Sequence, residues 1–415
     1  MRKNFFDIKP FCKTSQWIFL CTWLLWIPLN ALGQTSRGET TTELLVNQGF
    51  ENVRYAENEK ECIYTVENNV YKAQGVGIAK ALDIIQKHGL TDDKRCKVII
   101  TNLDVPELSL TYEPIDVADT TTTKKNWETS YNIGDSWNLV KKEKKKNSSR
   151  FKVDILVYPQ LSYKNLIITQ IYQVLFTLNP AIEVSLWQGM KLTAQIVVPI
   201  YNDGYGSWND QKRMGFLTLS QKFRLPYNIK GKAVVGIFNM DRYGLDLNLF
   251  RPFDFDSRFS LEGRLGYTSI GYWDNFKFLY TKKDFITTWT LGANYYWPRY
   301  NTEFSLKWEK YLLEEKGVKF EMTRNFRYAS ISFYAQKTSV AKSNGGFRFQ
   351  ILLPAYKQKR HKYIPRINTS PNMGVVYNAG NEQYYYQYYR SEASENIMNE
   401  NSFNPYFIKS ELSIY

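Results

Sequence analysis

Between residues 300 and 354, apolar and polar residues alternate with a period of two. Phe304, Leu306 and Trp308 alternate with Glu303, Ser305, Lys307 and Glu309, and Val318, Phe320 and Met322 alternate with Lys319, Glu321 and Thr323. Ala329, Ile331 and Phe333, then Phe347, Phe349 and Ile351, continue the pattern. A helix would scatter these positions around its circumference, whereas a strand puts each kind on its own face. Breaks at Glu315-Lys316-Gly317, Arg324-Asn325 and Ser343-Asn344-Gly345-Gly346 predict turns, so the stretch reads as consecutive hairpins.

Upstream, the same reading predicts strands over residues 153–157, 166–178, 182–186, 192–198, 217–223, 234–238, 245–250, 259–267 and 289–297. The total is about twelve, and strands of roughly 9 to 11 residues suit a tilted membrane span. The chain before them has a mixed pattern. A short helix through Leu44 and Leu45, strands over 52–56, 62–66, 96–100 and 106–112, and a helix over 77–88 predict a small α/β domain.

The N-terminus sets the compartment. Arg2, Lys3, Lys9 and Lys13 flank the apolar run 17–29, and Ala31-Leu32-Gly33 puts small residues before Gln34, which predicts a cleaved secretory signal over 1–33. Cys21 lacks the small residue that a lipoprotein signal places before its cysteine, so a lipid anchor is not expected. No later run reaches the roughly 18 apolar residues of a spanning helix. The expected fold is therefore mainly β: a transmembrane antiparallel β-barrel of about twelve strands over 151–354, in the outer membrane of a Gram-negative bacterium. A periplasmic α/β domain over 34–114 and a basic polar linker over 115–150 precede it. The Tyr-rich tail over 355–415 reads as a closing strand, a lumen plug or a surface strap.

Composition agrees with a barrel. Aromatic residues make up 16% of the 415 residues, yet mean hydropathy is −0.44, as expected where lipid-facing and water-facing positions alternate. Trp187, Trp289, Trp297, Trp308, Tyr267, Tyr295 and Tyr311 fall near strand ends, where an aromatic girdle would sit. The formal charge of +14 suits an anionic partner, lipopolysaccharide or an acidic polysaccharide, beside the membrane lipid itself. No nucleic-acid recognition motif is present, so nucleic acid is not expected as a partner.

If Phe259, Leu261, Phe304, Leu306 and Phe347 face lipid, then Glu183, Asp246, Arg258, Glu262, Arg264, Glu303, Lys307, Glu309, Lys319, Glu321 and Arg348 face the lumen. Two readings stand for this charged wall: it contacts a passing or docked glycan, or its members pair and fill a closed interior. The chain has no G-x-S-x-G, and its two histidines, His88 and His361, make no acid–base triad, so no enzyme, metal or cofactor is expected. Cys62 and Cys96 both fall on strands of the α/β domain and read either as a structural disulfide or as two separate buried thiols.

Several motifs in order carry a resemblance. Trp187-Gln188-Gly189-Met190 leads to Val198-Pro199-Ile200-Tyr201-Asn202-Asp203, and Asp241-Arg242-Tyr243-Gly244 leads to Leu249-Phe250-Arg251-Pro252-Phe253. Tyr311-Leu312, Lys316-Gly317-Val318 and Thr323-Arg324-Asn325-Phe326 follow, then Asn344-Gly345-Gly346-Phe347 and Leu353-Pro354. With Gln48-Gly49-Phe50-Glu51-Asn52-Val53 near the start, the chain resembles the YjbH-type exopolysaccharide-biosynthesis outer-membrane barrel family, in a shortened version with a Tyr-rich tail. The resemblance implies a noncatalytic role in export or assembly of an exopolysaccharide or capsule, with periplasmic export components as partners. A general porin and a barrel-embedded enzyme acting on lipid A or glycan are the alternatives.

Overall fold

A computed structural model describes residues 36–113 (except 92), 127–164, 172–352 (except 341), 359–361, 364–370, 373–378, 387–395 and 402–413. The signal predicted over 1–33 lies outside these residues.

The N-terminal domain runs α1 (Arg37–Gln48), β1 (Glu51–Glu57), β2 (Glu61–Glu67), α2 (Gln74–His88), β3 (Arg95–Asn102), β4 (Val105–Tyr112), β5 (Trp127–Ser130) and α3 (Ser136–Val140). Its strands pair in chain order. β2 and β3 are parallel, and a parallel pair needs a crossover, which α2 supplies. The apolar face of α2 (Ile78, Ala81, Leu82, Ile85) packs on Val98, Ile100, Leu108 and Leu110, as its 3.6-residue spacing predicts. Cys62 and Cys96 are register partners across β2 and β3, and both are buried free thiols, so the disulfide is not formed. The hydrogen bond that Cys96 donates to Cys62, with burial, holds the Cys96 thiol well above its usual range.

The linker expected over 115–150 is in large part domain. Trp127, Ile133 and Val140 are buried, Lys145 pairs with Asp104 at 2.8 Å, and the Lys146 and Val53 backbones exchange hydrogen bonds. These three apolar residues are too irregularly spaced among Asn, Ser and Lys to give a periodic signal. Residues 114–126 lie outside the described set.

The second sheet holds β6 (Val153–Lys164), β7 (Gln173–Ser185), β8 (Met190–Asp203), β9 (Arg213–Arg224), β10 (Lys230–Ile237), β11 (Arg242–Pro252), β12 (Phe259–Asp274), β13 (Lys277–Tyr280), β14 (Ile286–Trp297), β15 (Thr302–Lys310), β16 (Lys316–Asn325), β17 (Ala329–Thr338), β18 (Lys342–Ile351), β19 (Arg366–Thr369) and β20 (Met373–Asn378). Leaving out β13, which extends β12 into a protruding hairpin, β6 to β18 form an antiparallel meander of twelve strands. Two expected boundaries move. Pro180 does not interrupt β7, so residues 173–178 and 182–185 of the two strands expected over 166–178 and 182–186 share one element; residues 166–171 lie outside the described set. Asn344-Gly345-Gly346 lies inside β18, and the chain turns before it at 339–340; a Cβ on Gly346 would come within 1.9 Å of the Tyr377 carbonyl, so glycine there admits β20.

The wall closes through the tail. β19 pairs in parallel with β6, β20 pairs antiparallel with β18, and Tyr377 stacks on Tyr163 of β6 at 5.9 Å. Polarity across this wall is the reverse of a soluble protein. Leu306 is 56% exposed and its neighbour Ser305 only 5%. Every strand of the meander carries an outward apolar side chain, from Leu161, Ile182 and Leu192 round to Phe320, Phe333 and Phe347. Leu306→Lys is expected to cost about 2–4 kcal/mol of folding stability in liposomes, as for a cation near the bilayer midplane. Urea titration of folding into liposomes measures it, and a neutral effect would mean that this face meets water.

Candidate functional site

Because side chains alternate along each strand, the meander turns Glu183, Asp246, Glu262, Arg264, Glu303, Lys307, Glu309, Lys319, Glu321 and Arg348 inward, as expected. Most of them pair. Lys307 meets Glu262 at 2.6 Å, Lys319 and Arg348 each meet Glu321 at 3.1 Å, and Arg264 meets Asp246 at 2.9 Å. Glu183 accepts from Lys191 and from the Tyr158 hydroxyl at 3.2 and 2.7 Å. Arg258 departs from the expectation: it precedes β12 in the turn after β11, is half exposed and pairs with Asp256 at 2.7 Å. Alternation assigns faces only inside a strand, and Arg258 lies outside one. Tyr311, expected in the girdle, is buried, and its hydroxyl donates to Glu309 at 2.9 Å.

Eight strands give an interior that wall side chains can fill, while sixteen leave a channel. Twelve fall between, and the tail fills the difference. Gln387 meets Glu315 at the mouth away from the α/β domain, and its carbonyl accepts from the Leu312 amide. The Tyr388 hydroxyl donates to Glu309 at 2.9 Å, and the Tyr389 hydroxyl donates to Asp246 at 2.5 Å. Tyr389 fits because Gly266 of β12 faces it: a Cβ there would lie 1.9 Å from the phenol oxygen. Deeper in, Lys232 meets both Glu392 and Glu395 at 2.7 Å, and Lys191 meets Glu392 at 3.5 Å. The chain then reaches α4 (Pro405–Leu412), whose Ile408 and Leu412 join the core of the α/β domain. Residues 387–395 of the tail therefore run inward from one mouth and residues 402–413 sit at the other, leaving a cavity of about 720 Å³. The closing strand considered for residues 407–415 is, as far as Leu412, a helix instead, because Asn404 caps it and Pro405 opens it.

Lys191 and Lys232 were missed: alternation with Thr193 could have turned Lys191 inward, but Lys232 shares the parity of Val234, an apolar residue that is itself buried on the inner face. Glu392 and Glu395 gave no signal, because the tail has no period.

A second charged cluster rivets the two sheets together. Glu51 of β1, 1% exposed, takes Lys152 at 2.6 Å and Arg360 at 2.7 Å. Arg360 also pairs with Asp154 of β6, which Arg366 of β19 grips through both guanidinium ends at 2.9 Å. Burial, reinforced by Arg366, brings the nearby Lys72 amine down to about 8. At the next contact, burial pushes the Glu107 carboxyl up, but Lys230 and Lys222 outweigh it and hold it below the usual carboxylate range.

Among the described residues no cluster of His, Cys, Asp and Glu could hold a metal ion. No protein-family model and no curated protein matches the chain. Among solved structures it is similar to two mutants of Rh. blastica porin, each at 10% identity over 48% of this chain and 90% of theirs. The TM-scores, 0.29 and 0.30, are too low to carry an argument.

Proposed function

We propose that this chain is a noncatalytic outer-membrane β-barrel protein whose own tail closes its lumen, and that its α/β domain serves export or assembly of an extracellular polysaccharide from the periplasmic side. The observation that carries the membrane reading is the reversed wall: greasy residues outside on every strand of the meander, charge and amides inside. Exposed aromatics border both ends of this belt, with Trp187, Tyr227, Trp297 and Phe326 toward the α/β domain and Tyr201, Trp208, Tyr272 and Tyr280 at the other. The turns at the α/β end, such as 186–189 and 298–301, are short, whereas 204–212 and 275–285 at the far end are long. That asymmetry matches periplasmic turns and extracellular loops.

The polysaccharide role rests on the ordered motifs described above. Its test is deletion of the gene: surface polysaccharide changed in amount or chain length supports the role, and unchanged polysaccharide removes it. The membrane reading has its own test, since a closed barrel migrates anomalously on a detergent gel when unheated and extracts with the outer membrane. The porin alternative is favoured by the barrel wall and disfavoured by the threaded lumen.

A further inference from the structure

A second cavity, of about 830 Å³, lies outside the lumen, where the α/β domain overhangs the rim of the barrel at the β9–β10 hairpin. One wall comes from the domain, with Asn132, Trp137, Asn138 and Lys141. The other comes from the rim, with Gln221, Lys222, Phe223, Arg224 and Tyr227. Gln221 and Phe223 share the outward parity of Leu217 while Lys222 and Arg224 have the inward one, so the cleft straddles the rim, and its outer side borders the belt.

The charges within it are unevenly compensated. Arg224 donates to the carbonyls of Pro106, Glu107 and Tyr131 and to Asn228, all neutral acceptors. Lys141 donates to the Asn138 amide, and Lys222 reaches Glu107 only at 3.6 Å. The acids of the cleft are Asp254, which accepts from Asn228 at 3.0 Å, and Asp135. Lys142 and Lys144 stand exposed just beyond Lys141, with Glu143 exposed between them, and Tyr227 is 73% exposed at the cleft edge. An aromatic edge, amide donors and cations at the border of an apolar belt match a phosphodiester whose acyl chains lie along the wall.

We propose that this cleft binds the headgroup of one anionic phospholipid of the adjoining leaflet. The inference rests on the membrane reading but not on the polysaccharide role. Full-length protein in detergent is titrated with phosphatidylglycerol or phosphatidylcholine and read by native mass spectrometry. One phosphatidylglycerol is expected to stay bound in preference to phosphatidylcholine, with affinity falling about tenfold in Tyr227→Ala/Lys141→Gln and unchanged in Lys142→Gln. Tyr227 and Lys141 are exposed, so neither change threatens the fold. Equal retention of both lipids, or equal retention by the cleft variant, would overturn the proposal. So would displacement of the lipid by millimolar inorganic phosphate or by an acidic hexasaccharide, which would assign the cleft to a free phosphate or a glycan. If the protein shows heat-modifiable migration and inserts into liposomes while these outcomes fail, the cleft is wrong and the barrel stands.

Discussion

Asp154→Ala is expected to lower folding stability by about 3–5 kcal/mol, because it strips a buried ion network of its central carboxylate. Arg360 keeps Glu51 at 2.7 Å and Arg366 keeps the Asn69 carbonyl, but both guanidinium groups lose the carboxylate they share. The cost comes chiefly from two buried guanidinium groups that have lost their shared carboxylate, so Asp154→Ala/Arg366→Ala, which removes one of them, should be less damaged than Asp154→Ala alone. Asp154→Asn, which keeps an oxygen in place, should fall between. Urea titration in liposomes gives the stability, and protease cleavage between the two sheets gives an independent view of their separation. A change of less than roughly 0.5 kcal/mol in Asp154→Ala, the scale of ordinary surface substitutions, would mean that the network does not join them.

The second large effect concerns the lumen. Wild-type protein in a planar bilayer is expected to show no steady conductance, and replacing residues 379–401 with a flexible Gly/Ser linker of the same length should open a step at least about tenfold above background, as the strand number leaves room for water. The intermediate variant Glu392→Gln/Glu395→Gln leaves Lys232 facing neutral amides and takes one carboxylate each from Lys191 and Arg264, which keep Glu183 and Asp246, so it should flicker between the two levels. A wild-type protein that conducts as well as the linker variant would make the tail a bystander and restore the porin reading.

The wall was legible in the sequence because a two-residue period survives wherever one face meets hydrocarbon and the other meets charge. Residues 302–351 show it most plainly: Leu306 and Phe320 point out, Lys307 and Glu321 point in, and all four expected strands form, the last one starting earlier, at Lys342, ahead of the stretch expected to turn. The interior was half legible. Alternation gave the direction of Glu262 or Arg348, but their partners depend on register across neighbouring strands, which no single strand reveals. It also misplaced Arg258, one residue outside the element whose period it was assigned to. The tail was the least legible part. Tyr388 and Tyr389 hinted at a plug, but Glu392, Glu395 and the helix at Pro405–Leu412 take their positions from a wall and a domain far away in the chain. The α/β domain followed its periodicity as far as Tyr112. Beyond that, Trp127, Ile133 and Val140 are each buried singly, which leaves no pattern to read.

The threaded tail constrains the order of assembly. A polypeptide with Gln387 held at one mouth of a cylinder and the helix at Pro405–Leu412 seated at the other cannot be inserted once that cylinder is sealed without dragging a folded turn through a crowded bore. The simplest route has the helix dock first, with the twelve strands still an open curved ribbon, and β19 and β20 then zip the gap as the final event. Such long-range closure is slow. During that interval the ribbon carries two raw edges, which makes the nascent molecule dependent on whatever holds those edges apart from one another and from its neighbours.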